Sequence, residues 1–403
     1  MWYLFPKVYF VKGAKRAAFY DLNRNAIYQL TSGAKELVVR ALNNNGQDCF
    51  SEKENVFLEK LVKNDLISHD FYESRDISEL AEPTHIEFAW IEVTDLCNLK
   101  CIHCYEEAKC EHGKILPYEE YCHIIDELQN NDIKKVQLIG GEPFVLGNRI
   151  FKYIDYLKGK FSFVEIFTNG TLIRPEWISY FRDNHIHFAL SVYSNIPEMH
   201  NKVTKDKTSW QRTNRTIQLL HDAGIPYRIC NVLMRGIDLG ENNNPLYKLN
   251  PEKDVVRLTG RGNISLLTAD LIKKRIITKE TFSKPIFKAF LQRAISGHNC
   301  FARSIYISLD SEVYPCVMER RVSHGNLKRD SLSKILNDNI TSLTKDGING
   351  CKDCELRYAC FDCRPNSNGA GFYDKPWYCT YNPDEGIWLD SEKYIHSILN
   401  PVK

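Results

Sequence analysis

Three cysteines within eight residues carry the most specific chemistry in this sequence: Cys97, Cys101 and Cys104, in CNLKCIHC, spaced x3 then x2. Thiolates are soft ligands that select zinc or iron–sulfur centres. Structural zinc closes on four protein ligands, usually in C-x2–4-C pairs separated by a longer gap. No second pair lies near this trio, and the segment before Cys110 holds nothing diagnostic. His103, wedged between Cys101 and Cys104, cannot easily turn onto the same metal. A four-iron cube fits better. Each corner iron wants one outside ligand, and cysteines normally fill all four. Three cysteines leave one iron open to a substrate or cofactor.

The rest of the cysteine inventory has the same character. Of fourteen cysteines, Cys300, Cys316, Cys351, Cys354, Cys360, Cys363 and Cys379 form a second group, in which CKDCELRYACFDC (351–363) reads C-x2-C-x5-C-x2-C. A zinc ribbon needs about 15–20 residues between its pairs, so this gap is too short. Cys49, Cys110, Cys122 and Cys230 are scattered and read as buried apolar thiols. The aromatic N-terminus is interrupted by Lys7 and lacks a small-residue cleavage site, so it is not a signal peptide. No run of about eighteen apolar residues predicts a membrane span. Grouped cysteines in a chain of 403 residues therefore point to metal or redox chemistry in a cytoplasmic protein, not to a disulfide frame. With 43% hydrophobic and 26% charged residues the chain is ordinary for a globular protein, and its net charge of +2 argues against DNA as a partner.

The elements that position these cysteines follow from periodicity. Residues 1–80 read as a small unit. VYFVKGAKRAAFYDL and NAIYQL are paired strands, with turns at Gly13 and Asn23–Asn25. Helices are predicted at 32–42, with Ser32 as N-cap, and at 54–67, a winged-helix-like order. Residues 85–265 alternate strand and helix. Strands are predicted at 85–94, 134–141, 163–170, 186–194, 226–235 and 254–260, with helices at 118–131, 148–159, 175–184 and 210–224 between them. Such repeats make an α/β fold whose parallel sheet is open or rolled into a partial barrel, with its site at the carboxyl ends of the strands. The cysteine loop, GGEP, TNG and Ser191 all fall at such ends. Residues 236–253 read as an Asn-rich surface loop and 270–298 as helical. The cysteine-dense stretch within 266–403 has little periodicity and needs a metal staple. His185 and His187 are read as alternating across a strand; Tyr105 and Tyr193 are read as core aromatics before a lining of the cofactor cleft, and Asp353, Asp362 and Arg364 as solvated loop charges before a base or a substrate-steering group.

C-x3-C-x2-C after the first parallel strand, with GGEP ending the second, resembles the radical S-adenosylmethionine (SAM) enzymes. The resemblance implies a partial (β/α)6 TIM-like barrel in which SAM chelates the open iron and is cleaved reductively to a 5′-deoxyadenosyl radical that abstracts hydrogen. It implies Cys97, Cys101 and Cys104 as ligands of the SAM-cleaving [4Fe-4S] cluster. His103 would meet the adenine through its backbone. Gly140 and Gly141 would let the backbone approach the methionine end, and Glu142, kept extended by Pro143, would accept from the SAM ammonium. Ser191, Thr168 and Asn169 would contact the same ligand.

The second cysteine group resembles the SPASM extension of radical SAM peptide-modifying enzymes, which implies one or two auxiliary [4Fe-4S] clusters. Cys351, Cys354, Cys360 and Cys379 would bind the outer one, and Cys300, Cys316 and Cys363 the inner one. An open iron, a substrate ligand or a residue such as Cys230 would complete the inner site. Two departures stand out: x2 replaces x3 between Cys360 and Cys363, and Ser311 replaces an expected glycine. Residues 1–80 resemble the winged-helix module by which maturases of ribosomally made peptides bind a leader, adding it as a strand to a sheet edge. The opening is similar to grasp-with-spasm maturases. Together these imply a precursor peptide as substrate, a reductase, flavodoxin or ferredoxin as electron donor and a grasp-type ligase as a further partner. The expected activity is a peptide crosslink or oxidation. Alternatives are a sulfatase-maturating type of oxidase and a non-catalytic zinc-binding winged-helix interaction protein.

Overall fold

The computed structural model describes residues 1–43, 49–73, 75–337 and 340–400. Its N-terminal strands follow the alternation: β1 (Tyr3–Leu4), β2 (Val8–Lys12), β3 (Ala17–Asp21) and β4 (Ala26–Leu30), with β2-β3-β4 forming an antiparallel sheet. Helices α1 (Ser32–Asn43) and α2 (Glu52–Lys63) follow. Ser32 is the first helical residue, not the cap; the Thr31 hydroxyl accepts from Ala34 N at 3.4 Å. Helix α2 begins earlier than expected because Ser51 and Glu54 form a capping box. It also stops sooner, because the chain leaves to pair β5 (Ile67–Ser68) with β1.

The next elements are β6 (Phe88–Thr94), α3 (Tyr118–Asn130), β7 (Lys135–Gly140), α4 (Arg149–Leu157), β8 (Phe163–Thr168), α5 (Ile178–Asp183), β9 (His187–Ser191), α6 (Pro197–Thr204), α7 (Ser209–Asp222) and β10 (Tyr227–Cys230). Helix α6 was not anticipated, and His185 lies in a turn with φ 52° instead of on the strand. Strands β6 to β10 are parallel neighbours. The sixth parallel strand is not 254–260, which touches the strand side only through the Leu233–Val255 bridge. It is β11 (Ser304–Ile307), paired with β6 at the opposite edge. Its four residues are all buried, so no alternation marks them in sequence. β12 (Glu312–Tyr314) and β13 (Gly325–Asn326) extend that edge antiparallel.

The helix-facing side of the sheet (Ala89, Ile91, Val93, Val136, Leu138, Ile166, Phe188, Leu190) packs against Ile124, Leu128, Ile150, Ile154, Ile217 and Leu220. Tyr247 and Leu249 of the 236–253 segment are buried in the same core, so that segment is not purely a surface loop. The 270–298 stretch is two helices, α8 (Ala269–Lys273) and α9 (Lys288–Ser296), with a bridge at Ile277 and a 3-10 turn (Lys279–Ser283) between them. The N-terminal sheet shares a buried cluster with the C-terminal region: Tyr9, Val11 and Tyr20 pack with Leu291, Leu356 and Tyr358. Tyr20 Oη donates to the Glu355 carbonyl at 2.9 Å. Among the described residues no helix is long and apolar enough to cross a membrane.

Candidate functional site

Beyond Thr94 the chain turns over the carboxyl ends of β7 and β8 as the loop carrying Cys97, Cys101 and Cys104. Two backbone bonds clamp it: Gly141 N donates to Thr94 O at 2.7 Å and Glu142 N to Leu96 O at 2.8 Å. A Cβ on Gly140 would lie 2.1 Å from Thr94 O, and one on Gly141 2.2 Å from Leu96 O. The glycine pair is therefore required by the cysteine loop itself. Gly260 (φ 56°) makes the third close approach, its missing Cβ 2.6 Å from Cys104 O, and Arg261 N donates to that carbonyl at 3.0 Å.

Cys97, Cys101, Cys104 and His103 line a cavity with Gly140, Gly141, Thr168, Asn169 and Ser191. Glu142 and Pro143 are not in that lining. Glu142 is fully buried, and its carboxylate accepts from Thr168 Oγ1 (2.7 Å), Asn169 N (2.7 Å) and Phe144 N (3.1 Å). Burial still pushes it up to about 7. Its observed work is to lock the end of β7 onto the end of β8. Asn169 Nδ2 donates to Asn98 Oδ1 at 3.0 Å, tying β8 to the cysteine loop.

Half-buried Tyr105 and buried Tyr193 line the cavity, the second of their two readings. Sequence reasoning missed two charged neighbours. Glu106, paired with Arg320, has its Oε1 buried and without a partner. Arg261 lines the cavity with Nε and Nη2 buried and unpartnered. The one signal in sequence was Gly-Arg-Gly at 260–262, inside and after a stretch taken for a strand. His103 stacks edge-on with Tyr193, centroids 4.8 Å apart, and burial, then Arg261, lowers it to about 4, so the ring is neutral.

The C-terminal thiols form two sets. Burial, opposed by Lys345, raises Cys360 to about 12, with Cys379 and Cys351 adding to the rise; Cys354 responds to Cys360 and Cys379. Burial raises Cys316 to about 12, with Cys363 and Cys300 adding. Arg257 Nε lies 3.3 Å from Cys363 Sγ. Cys230 belongs to neither set: Arg228 Nη1 reaches its Sγ at 3.0 Å on β10. Cys49 and Cys110 are exposed, not buried. Ser311 has φ 63°, so the residue in the expected glycine's place adopts the backbone that favours glycine. Asp362 and Arg364 are buried and paired instead of solvated.

The donor chemistry fits iron–sulfur centres. Leu99 N and Leu356 N each lie 3.4 Å from the sulfur two residues before them, Cys97 and Cys354. Met318 N and Tyr381 N serve Cys316 and Cys379 in the same way. N–H groups aimed at sulfur favour the thiolate, the form that binds metal. Among the described residues no three His, Cys, Asp or Glu side chains converge as the ligands of a single ion would. The trio lines a cavity instead.

Residues 91–246 match the family model described as the radical SAM superfamily, and residues 300–363 match the iron–sulfur cluster-binding domain, SPASM. The chain carries a radical SAM domain and a SPASM domain. That superfamily binds a [4Fe-4S] cluster and SAM, and the SPASM domain binds auxiliary clusters. The chain is 32% identical over 284 residues to the antilisterial bacteriocin subtilosin biosynthesis protein AlbA of Bacillus subtilis (strain 168). The match covers 64% of this chain and 61% of AlbA, so about three-fifths of that relative's length is spanned. Two solved structures share the fold. Streptococcus suis SuiB bound to precursor peptide SuiA has a TM-score of 0.52 and 14% identity, covering 91% of this chain and 96% of that one. Native anSMEcpe with bound AdoMet and Cp18Cys peptide has a TM-score of 0.52 and 18% identity, covering 78% and 97%.

Proposed function

We propose that this chain is a peptide maturase that uses SAM cleavage to abstract hydrogen from a residue of a ribosomally made precursor, giving a crosslink or an oxidised residue. The observation that carries the reading is the cysteine trio around one cavity, held by the Gly140–Gly141 clamp, in a chain with two further thiol sets. Cys97, Cys101 and Cys104 would hold the cluster that leaves one iron to SAM. Cys351, Cys354, Cys360 and Cys379 would hold the outer auxiliary cluster, and Cys300, Cys316 and Cys363 the inner one. When bound, cluster and SAM together supply a primary carbon radical that takes hydrogen from an unactivated carbon.

The chain's own residues then have distinct tasks. The unpartnered guanidinium of Arg261 offers two buried donors to the carboxylate of SAM. Neutral His103 gives an uncharged wall to the adenine side, and Asn169 and Ser191 supply polar contacts beside it. Glu142 orients Thr168 and the Asn169 backbone and leaves direct contact to them. The N-terminal sheet offers edge strands β2 and β4 to a leader peptide added as a further strand. That sheet is seated on the 353–357 segment beside the outer thiol set.

Support for a peptide substrate comes from AlbA, whose name places it in bacteriocin biosynthesis, and from SuiB, solved with its precursor peptide. The SuiB likeness extends into the N-terminal domain, since it covers 91% of this chain, whereas the anSMEcpe likeness covers 78%. An electron donor of the flavodoxin or ferredoxin class, a grasp-type ligase and the reducing cytoplasm complete the reading. The test is anaerobic purification with iron and sulfide assay, then incubation with reductant, SAM and each short peptide found encoded beside this gene. Mass loss from one such peptide together with 5′-deoxyadenosine supports the reading; 5′-deoxyadenosine with an intact peptide across all neighbouring candidates overturns it.

A further inference from the structure

The two C-terminal thiol sets meet at a chain of three buried charges. Lys345, Asp362 and Arg364 are 7%, 2% and 4% exposed. Lys345 Nζ and Arg364 Nε contact opposite oxygens of the Asp362 carboxylate. Arg364 Nη1 donates onward to the Phe372 and Asp374 carbonyls at 2.9 and 2.8 Å. His298 Nε2 lies 3.2 Å from the Asp362 carbonyl, and His298 Nδ1 accepts from Cys300 N at 3.2 Å. Asp362, which lies between Cys360 and Cys363 in sequence, thus fastens the chain to the inner set through its backbone. Lys345 lines one cavity with Cys360 and Asp362, which places its ammonium beside the outer set.

Folding does not require such a chain. Taking ions out of water costs as much as their pairing returns, and apolar side chains of similar volume stabilise as well or better. Two cations and one anion leave a net positive charge in a medium where it is weakly screened. A four-iron cluster with four thiolate ligands is anionic and gains one more negative charge on reduction. A fixed positive charge beside it favours the reduced state.

We propose that the Lys345–Asp362–Arg364 chain sets the reduction potential of the outer auxiliary cluster, holding it more positive than its four thiolates alone would. This rests on the reading that Cys351, Cys354, Cys360 and Cys379 bind a cluster. Lys345 and Asp362 act through the cluster's field, so they are positioning residues and their signature is a potential.

The experiment uses the full chain, anaerobically reconstituted, with Cys97, Cys101 and Cys104 changed to Ala so that only auxiliary clusters report. Iron is counted and the clusters are titrated with EPR detection. The outer signal is the one lost in a Cys379→Ala variant. Lys345→Met moves that signal's midpoint to more negative potential, Lys345→Arg restores it, and Asp362→Asn, which leaves two cations, moves it positive. If Lys345→Met loses iron, the positive shift in Asp362→Asn still decides for the proposal. Unmoved midpoints at full iron content, or shifts of the same sign in Lys345→Met and Asp362→Asn, overturn the proposal alone. No iron in the parent protein overturns the cluster assignment and the proposal with it.

Discussion

The cysteine loop after β6 and the cysteine segment 351–363 hold the same kind of ligand by different means. The first is held by backbone: the ends of β6 and β7, two N–H···O bonds and three glycines without room for a Cβ. The second has only short 3-10 turns and is held by buried side chains, Lys345, Asp362, Arg364 and the Tyr358–Leu356 cluster that the N-terminal sheet covers. Backbone clamps tolerate no added atom. Side-chain clamps tolerate shape change and respond to charge. The first loop is therefore expected to fail by steric change, and the second by electrostatic change.

The largest effect comes from removing the ligands of the first loop. Replacing Cys97, Cys101 and Cys104 together with Ala abolishes 5′-deoxyadenosine formation while iron remains at the C-terminal sets; undiminished formation in an anaerobic assay sinks the assignment. A single methyl group tests the steric half of the contrast. Gly141→Ala, whose Cβ would fall 2.2 Å from Leu96 O, displaces the cysteine loop and lowers the SAM-cleavage rate by about 100-fold. A rate within a few-fold of the parent's would show that the clamp yields.

Charge at the first site has a smaller effect. Arg261→Gln removes the two unpartnered buried donors and weakens SAM binding about tenfold in calorimetry. If SAM and its decarboxylated analogue lose affinity equally, the guanidinium does not read the carboxylate.

The smallest effect concerns stability. Burial lowers His200 to about 4, and its Nδ1 accepts from Tyr193 N at 3.3 Å. The native state thus refuses a proton that the unfolded chain takes near its ordinary value of about 6.5. That contribution is complete above about pH 6.5 and is lost as pH falls towards 4, about 2 kcal/mol of it by pH 5. His200→Asn should flatten the denaturant-midpoint profile between pH 7 and 5; an equally steep profile would assign the acid loss elsewhere.

Much of this was legible before the fold was known. Ligand types, their grouping and the βα alternation are local properties, written as spacing and period. The five parallel strands β6 to β10 and the cavity's cysteines, glycines, Thr168, Asn169 and Ser191 follow from them. The sixth parallel strand was misplaced because an apolar SIYI run buried on both faces has no period to read. Arg261 was missed because its segment mimics a strand. Lys345, Asp362 and Arg364 were missed because loop charges are ordinarily solvated, and only burial distinguishes these three.

The sequence by itself determined which side chains group as candidate metal ligands and which strand end presents the first trio, since ligand chemistry and hydrophobic period need no knowledge of distant contacts. Only the tertiary structure decided what Glu142 holds, why residues 140 and 141 must be glycine, and which cation faces each thiol set. Those answers depend on separations between groups far apart in the chain, and such separations exist only once the chain has closed on itself.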